Sequence, residues 1–172
     1  NTEKIFEYIY DIVNQHMRLK NTLTEYGAIS RIFHWLSATV LIIQIPLGMY
    51  LVDMDFSEKR LTIENIHVAV GISIFYLTVL RLIYKAFNPT PKLNNSIFPG
   101  QKIIAKLNHV FLYISILMIT ISGALKKLYN GEELDMFFFN LEIQDNFDLA
   151  EIFYEIHILG NYTLIALISL HI

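Results

Sequence analysis

Six histidines punctuate this sequence, and their spacing is the first feature in it that could do chemistry. His157 and His171 are fourteen residues apart, and so are His67 and Arg81. Fourteen residues are close to four helical turns, so in a helix each pair would project from nearly one face, ~21 Å apart along the axis. Arg31 precedes His34 by three residues, Gly71 follows His67 by four, and Gly160 follows His157 by three. These are the separations of neighbours on one helix face. Asn108 and His109 are adjacent. Imidazole ligates metals and carries protons, so redox-cofactor ligation and proton relay are the chemistries to weigh. The chain has no cysteine, which excludes disulfides, zinc thiolate sites, iron–sulfur clusters and thiol catalysis.

The elements that hold these residues are legible from hydropathy. Of 172 residues 54% are hydrophobic, too many for an ordinary soluble domain of one-domain length. They fall in four blocks, about Ile29 to Val52, Ile66 to Phe87, Ile103 to Leu125 and Ile152 to Ile172. Each is long enough to cross a ~30 Å hydrocarbon core at 1.5 Å per residue. The expected fold is all-α, a four-helix transmembrane bundle over 26–172 preceded by an N-terminal extension, 1–25. Ile5, Tyr8, Ile9, Ile12, Val13 and Met17 recur at helical spacing, so that extension reads as an amphipathic helix able to lie on the membrane surface. Its acids and broken apolar run are unlike a cleavable signal peptide. Opening without Met and closing inside the fourth block, the chain reads as cut from a longer protein at both ends.

Charge sets the orientation. Arg18, Lys20 and Arg31 flank the start of the first span, and Lys85, Lys92, Lys102 and Lys106 accompany the second connection without any acid. The third connection holds Glu132, Glu133, Asp135, Glu142, Asp145 and Asp148. The positive-inside rule puts the N-terminus and second connection in the cytoplasm and the acidic loop outside. A bacterial source would make the membrane the cell inner membrane and the outer side the periplasm. Membrane lipid is an expected partner and nucleic acid is not.

On that orientation the histidines fall into two levels. His67 and His157 open their spans at the outer side; His34 and His171 lie near the inner side. One such histidine would be read as an interhelical hydrogen-bonding residue. Five in one small bundle, four of them paired by depth across different helices, meet the requirement for bis-histidine ligation of two haems. With no cysteine to attach them, these would be two b-type haems. Gly71 and Gly160 leave room on the ligand face for a flat macrocycle, although glycine also serves plain helix packing. Arg31 and Arg81 reach the inner level and are candidate partners for haem propionates; snorkelling to headgroups is their simpler role. The competing class is a transporter or channel whose histidines relay protons or hold a metal ion. It would tolerate staggered depths and would not need two paired levels.

From about Tyr26 onward the chain resembles the bacterial cytochrome b561 family, the hydrogenase/cytochrome b type. The matching features are Arg31-x-x-His34-Trp35, Ile66-His67-x-x-x-Gly71-Ile72 with Arg81-Leu82, Pro89-Thr90-Pro91, His109-x-x-x-Tyr113 with Gly123, Glu155-Ile156-His157, and Leu170-His171. The resemblance implies two b haems on the four paired histidines and a quinone site near the inner one, with ubiquinone or another quinone as acceptor. Asn108 and His109, left over at the inner level, are the candidates to hydrogen-bond that quinone. Their plainer roles are a helix-start cap and a histidine at the headgroup boundary. The stand-alone subgroup that the Pro89-Thr90-Pro91 loop resembles includes superoxide:quinone oxidoreductases, so superoxide or a periplasmic redox partner is the expected donor. Lys126 and Lys127 could attract such an anion, against the opposing field of the acidic loop. The family's fourth helix continues past its second histidine, and whatever that tail adds to a quinone pocket is missing from this sequence.

Overall fold

The structure is a computed structural model that describes residues 4–6, 8, 18–92 and 99–171. Four long helices carry it: α1 (Ala28–Val52), α2 (Glu58–Phe87), α3 (Pro99–Tyr129) and α4 (Phe147–His171). All four are long and apolar enough to cross a membrane, as the four blocks predict. Their outward faces expose large apolar side chains such as Ile42 (72%), Ile104 (68%) and Leu159 (68%). A water-soluble bundle would bury such a surface; a bilayer solvates it. Lys4–Phe6 and Tyr8 of the expected N-terminal helix are helical, and Ile9, Ile12, Val13, His16 and Met17 lie outside the described residues.

The helices outrun the apolar blocks because their ends are chemically capped. Ser57 Oγ accepts from the Arg60 amide at 3.2 Å, and Glu58 sits in the first turn against the helix dipole, so α2 begins eight residues before its apolar stretch. Arg60 also turns its guanidinium onto the carbonyls of Leu51 (2.9 Å) and Met54, closing the C-terminus of α1. Beyond α3, Gly131 adopts φ 77° and its amide bonds Leu128 O at 2.9 Å, a glycine helix stop. Asn108 lies nine residues inside α3, so it is no helix-start cap.

The acidic third connection contains a small antiparallel hairpin, β1 (Leu134–Asp135) and β2 (Asn140–Leu141). Leu134, 1% exposed, plugs the seam where Ile72 of α2 meets Leu128 of α3. On the other side of the bundle, residues 18–27 strap the helix ends together. Asn21 accepts from the Gly27 amide (3.0 Å) and Ser30 Oγ (2.7 Å) and donates to Pro89 O at 3.0 Å. Any side chain at Gly27 would meet the Leu19 and Lys20 backbone at 2.5 Å.

Packing between helices is uneven. The tightest seam is α3 against α4, followed by α1 against α2 and α2 against α3. Among the described residues α4 stands off from both α1 and α2. Those two loose interfaces are the ones the paired histidines span.

Candidate functional site

At the level that the charge pattern assigns to the outer side, His67 of α2 faces His157 of α4, with ring centroids 6.1 Å apart and planes crossed at 77°. At the inner level His34 of α1 faces His171 of α4 at the same 6.1 Å and 79°. Two helices contribute to each pair and α4 contributes to both, as the fourteen-residue spacing predicts. An imidazole nitrogen lies about 2.0–2.1 Å from a metal, and its ring centre about 1.1 Å beyond the nitrogen. Two axial imidazoles on one metal therefore stand about 6.3 Å apart between centroids. Both pairs match that separation, across interfaces where the helices leave room. On this geometry the residues fit a haem at each level.

The outer pair is built by glycines. A Cβ at Gly48 would lie 2.8 Å from His67 Cε1, and one at Gly123 would lie 2.9 Å from both Cε1 and Nδ1 of His157. Each imidazole thus rests edge-on against the backbone of a neighbouring helix. His157 Nδ1 is 2.8 Å from Ile119 O. A carbonyl only accepts, so Nδ1 carries the proton and Nε2 is left to ligate. A cavity of about 350 Å³ adjoins the pair and includes Gln44, Gly48, Gly71 and Gly123 in its wall. Its lining includes Lys126 and Lys127, each engaged by a carboxylate: Lys126 to Glu64 at 3.1 Å and Lys127 to Glu132 at 2.6 Å. Those ion pairs blunt the positive field the two lysines would otherwise present.

The inner level gathers more groups. His109 of α3 approaches His171, with centroids 4.9 Å apart at 71°. That is too close for an axial pair on one metal, so His109 meets His171 from a third helix without matching the spacing of the other two pairs. One turn on, the Tyr113 ring is covered by Arg81 (5.4 Å) and Lys85 (4.9 Å) from α2. Asn108 is buried, and its Nδ2 donates to Leu167 O at 3.3 Å, tying α3 to α4. Arg31 is exposed and lines an inner-end hollow with Arg18 and Lys20.

Of the two glycines singled out by sequence, Gly71 lines the outer cavity, where an added Cβ would meet only Gln44 Nε2 at 3.8 Å. Gly160 instead faces α3: a Cβ there would meet Ile119 Cγ1 at 2.8 Å and Met118 Cε at 3.1 Å. Its small size serves the tight α3–α4 seam, the plain packing role of a membrane-helix glycine. Sequence reasoning overlooks Gln44 and Gly48. The available signal is a lone amide in an apolar span, with a glycine one turn later on the same face.

Comparison with known proteins follows the same residues. The profile of the family described as prokaryotic cytochrome b561 matches residues 25–172. Over 122 residues, 70% of this chain, the sequence is 30% identical to cytochrome b561 homolog 2 of Escherichia coli (strain K12). The match covers 65% of that relative's length.

Proposed function

Since the chain belongs to the prokaryotic cytochrome b561 family, a family of haem-b-binding membrane proteins, we propose that it carries two b haems and passes electrons between an outer-side donor and the quinone pool. The observation that carries this reading is the repetition of one geometry: two histidine pairs, both at 6.1 Å, across the two loose helix interfaces. His67 with His157 would hold the outer haem and His34 with His171 the inner one. When bound, the haems supply one-electron chemistry at two depths of the membrane, which the protein itself lacks.

The chain's own groups position and tune. Gly48, Gly71 and Gly123 admit the ligand rings and the macrocycle. Arg81, held near the inner pair over Tyr113, and Arg31, one turn before His34, would offset propionate charge. His109 is exposed at the inner level beside His171, open to a quinone, ubiquinone or another, that enters from the lipid. Its N–H would bond a quinone carbonyl and supply a proton on reduction. Asn108, fixed to Leu167 O, has a second amide N–H for the same acceptor. The donor at the outer level is superoxide or a periplasmic redox partner. Basic residues such as Arg18, Lys20, Lys85 and Lys106 at one end of the bundle support a cytoplasmic N-terminus, and the bacterial relative supports an inner-membrane location.

A proton- or metal-conducting transporter is the alternative. Among the described residues no group of three or more His, Cys, Asp or Glu gathers as a bare metal ion would need. The test is spectroscopic. Protein purified in mild detergent should show a Soret band that shifts on dithionite reduction and shifts back on adding a soluble quinone analogue. A colourless protein, or a reduced band indifferent to quinone, would contradict the proposal.

A further inference from the structure

The two outer ligands are not treated alike. His157 Nδ1 has a backbone carbonyl at 2.8 Å, whereas His67 Nδ1 is buried without any hydrogen-bond partner among the described residues. Presenting Nε2 to iron obliges His67 to carry its proton on Nδ1, and a buried N–H left unbonded costs about 1–3 kcal/mol. One turn from the Gly48 backbone on which the His67 ring rests, Gln44 is only 7% exposed. Its Nε2 donates to His67 O at 2.8 Å, which holds the amide beside that residue, and its Oε1 is likewise buried without a partner. A stranded acceptor and a stranded donor therefore stand on adjoining helices, in two residues that line the same cavity.

We propose that Gln44 is a positioning residue for the outer axial ligand, its Oε1 accepting the hydrogen bond of the His67 Nδ1 proton after a small turn of either side chain. Both atoms are buried, so neither has solvent to turn to, and the Gln44 amide is already tethered to His67 through its Nε2. The arrangement fixes the imidazole plane and makes its ligating nitrogen more basic. A more basic ligand favours ferric over ferrous iron, so Gln44 holds the outer potential down. The inference rests on His67 being an axial ligand.

Redox titration of the purified holoprotein tests it, with the outer component identified as the one lost in His67→Ala. Gln44→Met keeps the length and removes the acceptor. It should raise the outer-haem potential, seen as a several-fold larger reduced fraction at fixed ambient potential, and leave the inner component unmoved. Gln44→Glu keeps an acceptor at the same reach and should not raise it. An unchanged potential in Gln44→Met at full haem content, or an equal rise in both variants, overturns the inference while the ligand assignment stands. If His67→Ala keeps two haems, the ligand assignment itself fails. Should Gln44→Met not fold, a high-resolution map of the wild type decides: Gln44 Oε1 within hydrogen-bonding distance of His67 Nδ1 supports the role, and His67 Nδ1 bonded elsewhere overturns it.

Discussion

His34 and His171 stand 6.1 Å apart with their planes at 79°, although 137 residues separate them in sequence (34 to 171) and their helices do not pack closely. A side-chain pair held at that distance across a loose interface is spaced for something between the rings. Direct imidazole hydrogen bonding would draw the rings closer together than this; His109 packs edge-on against His171 at 4.9 Å.

Ligand pairing follows from depth. His67→Ala and His157→Ala should each remove the same spectral component, and His34→Ala and His171→Ala the other. A side chain cannot reach the ~21 Å between levels. Reduced-minus-oxidised spectra of the four variants check this; loss of one shared component from His34→Ala and His157→Ala would break the scheme.

Gly123→Ala sets helix propensity against site geometry. Alanine gains about 1 kcal/mol over glycine inside a helix. Its Cβ would sit 2.9 Å from two atoms of the His157 ring, which is also pinned to Ile119 O. The variant should therefore keep its helix content by circular dichroism yet bind the outer haem weakly. Full haem retention would show that the ring moves aside without cost.

His109→Ala should leave both haem spectra intact and slow oxidation of the reduced protein by a soluble quinone analogue. Loss of one hydrogen bond and proton donor is worth on the order of tenfold to a thousandfold in rate. Stopped-flow absorbance measures it. Unchanged kinetics would leave His109 as a headgroup-boundary residue, and loss of a haem would make it a ligand.

Arg81→Gln removes a positive charge beside the inner pair. Reduction adds an electron, which that charge favours, so the inner-haem potential should fall while the outer one stays in place. Potentiometric titration resolves the two components; an unmoved inner potential would confine Arg81 to its stacking on Tyr113.

Much of this architecture is legible in the amino-acid sequence because hydropathy and helical period act over long stretches. The spans, the depth of each histidine and the pairing of His67 with His157 and His34 with His171 all follow from block boundaries and a fourteen-residue interval. What escapes such a reading is short or rotational. β1 and β2 are two residues each, below any legible period, so the hairpin that seats Leu134 reads only as an acidic loop. Gly160 shares a helix face with His157 by spacing, yet its three-residue offset leaves it turned toward α3. Gln44 and Gly48 matter through contacts with His67 on another helix, and no spacing within α1 reveals where His67 rests.

Haem stoichiometry tests the two-level centre most directly. Pyridine haemochrome quantitation against protein mass, on the wild type purified in mild detergent with haem supplied, should give two b haems per chain, both removed by acid–acetone extraction. One haem per chain, or none, would contradict a centre built from two equivalent histidine pairs.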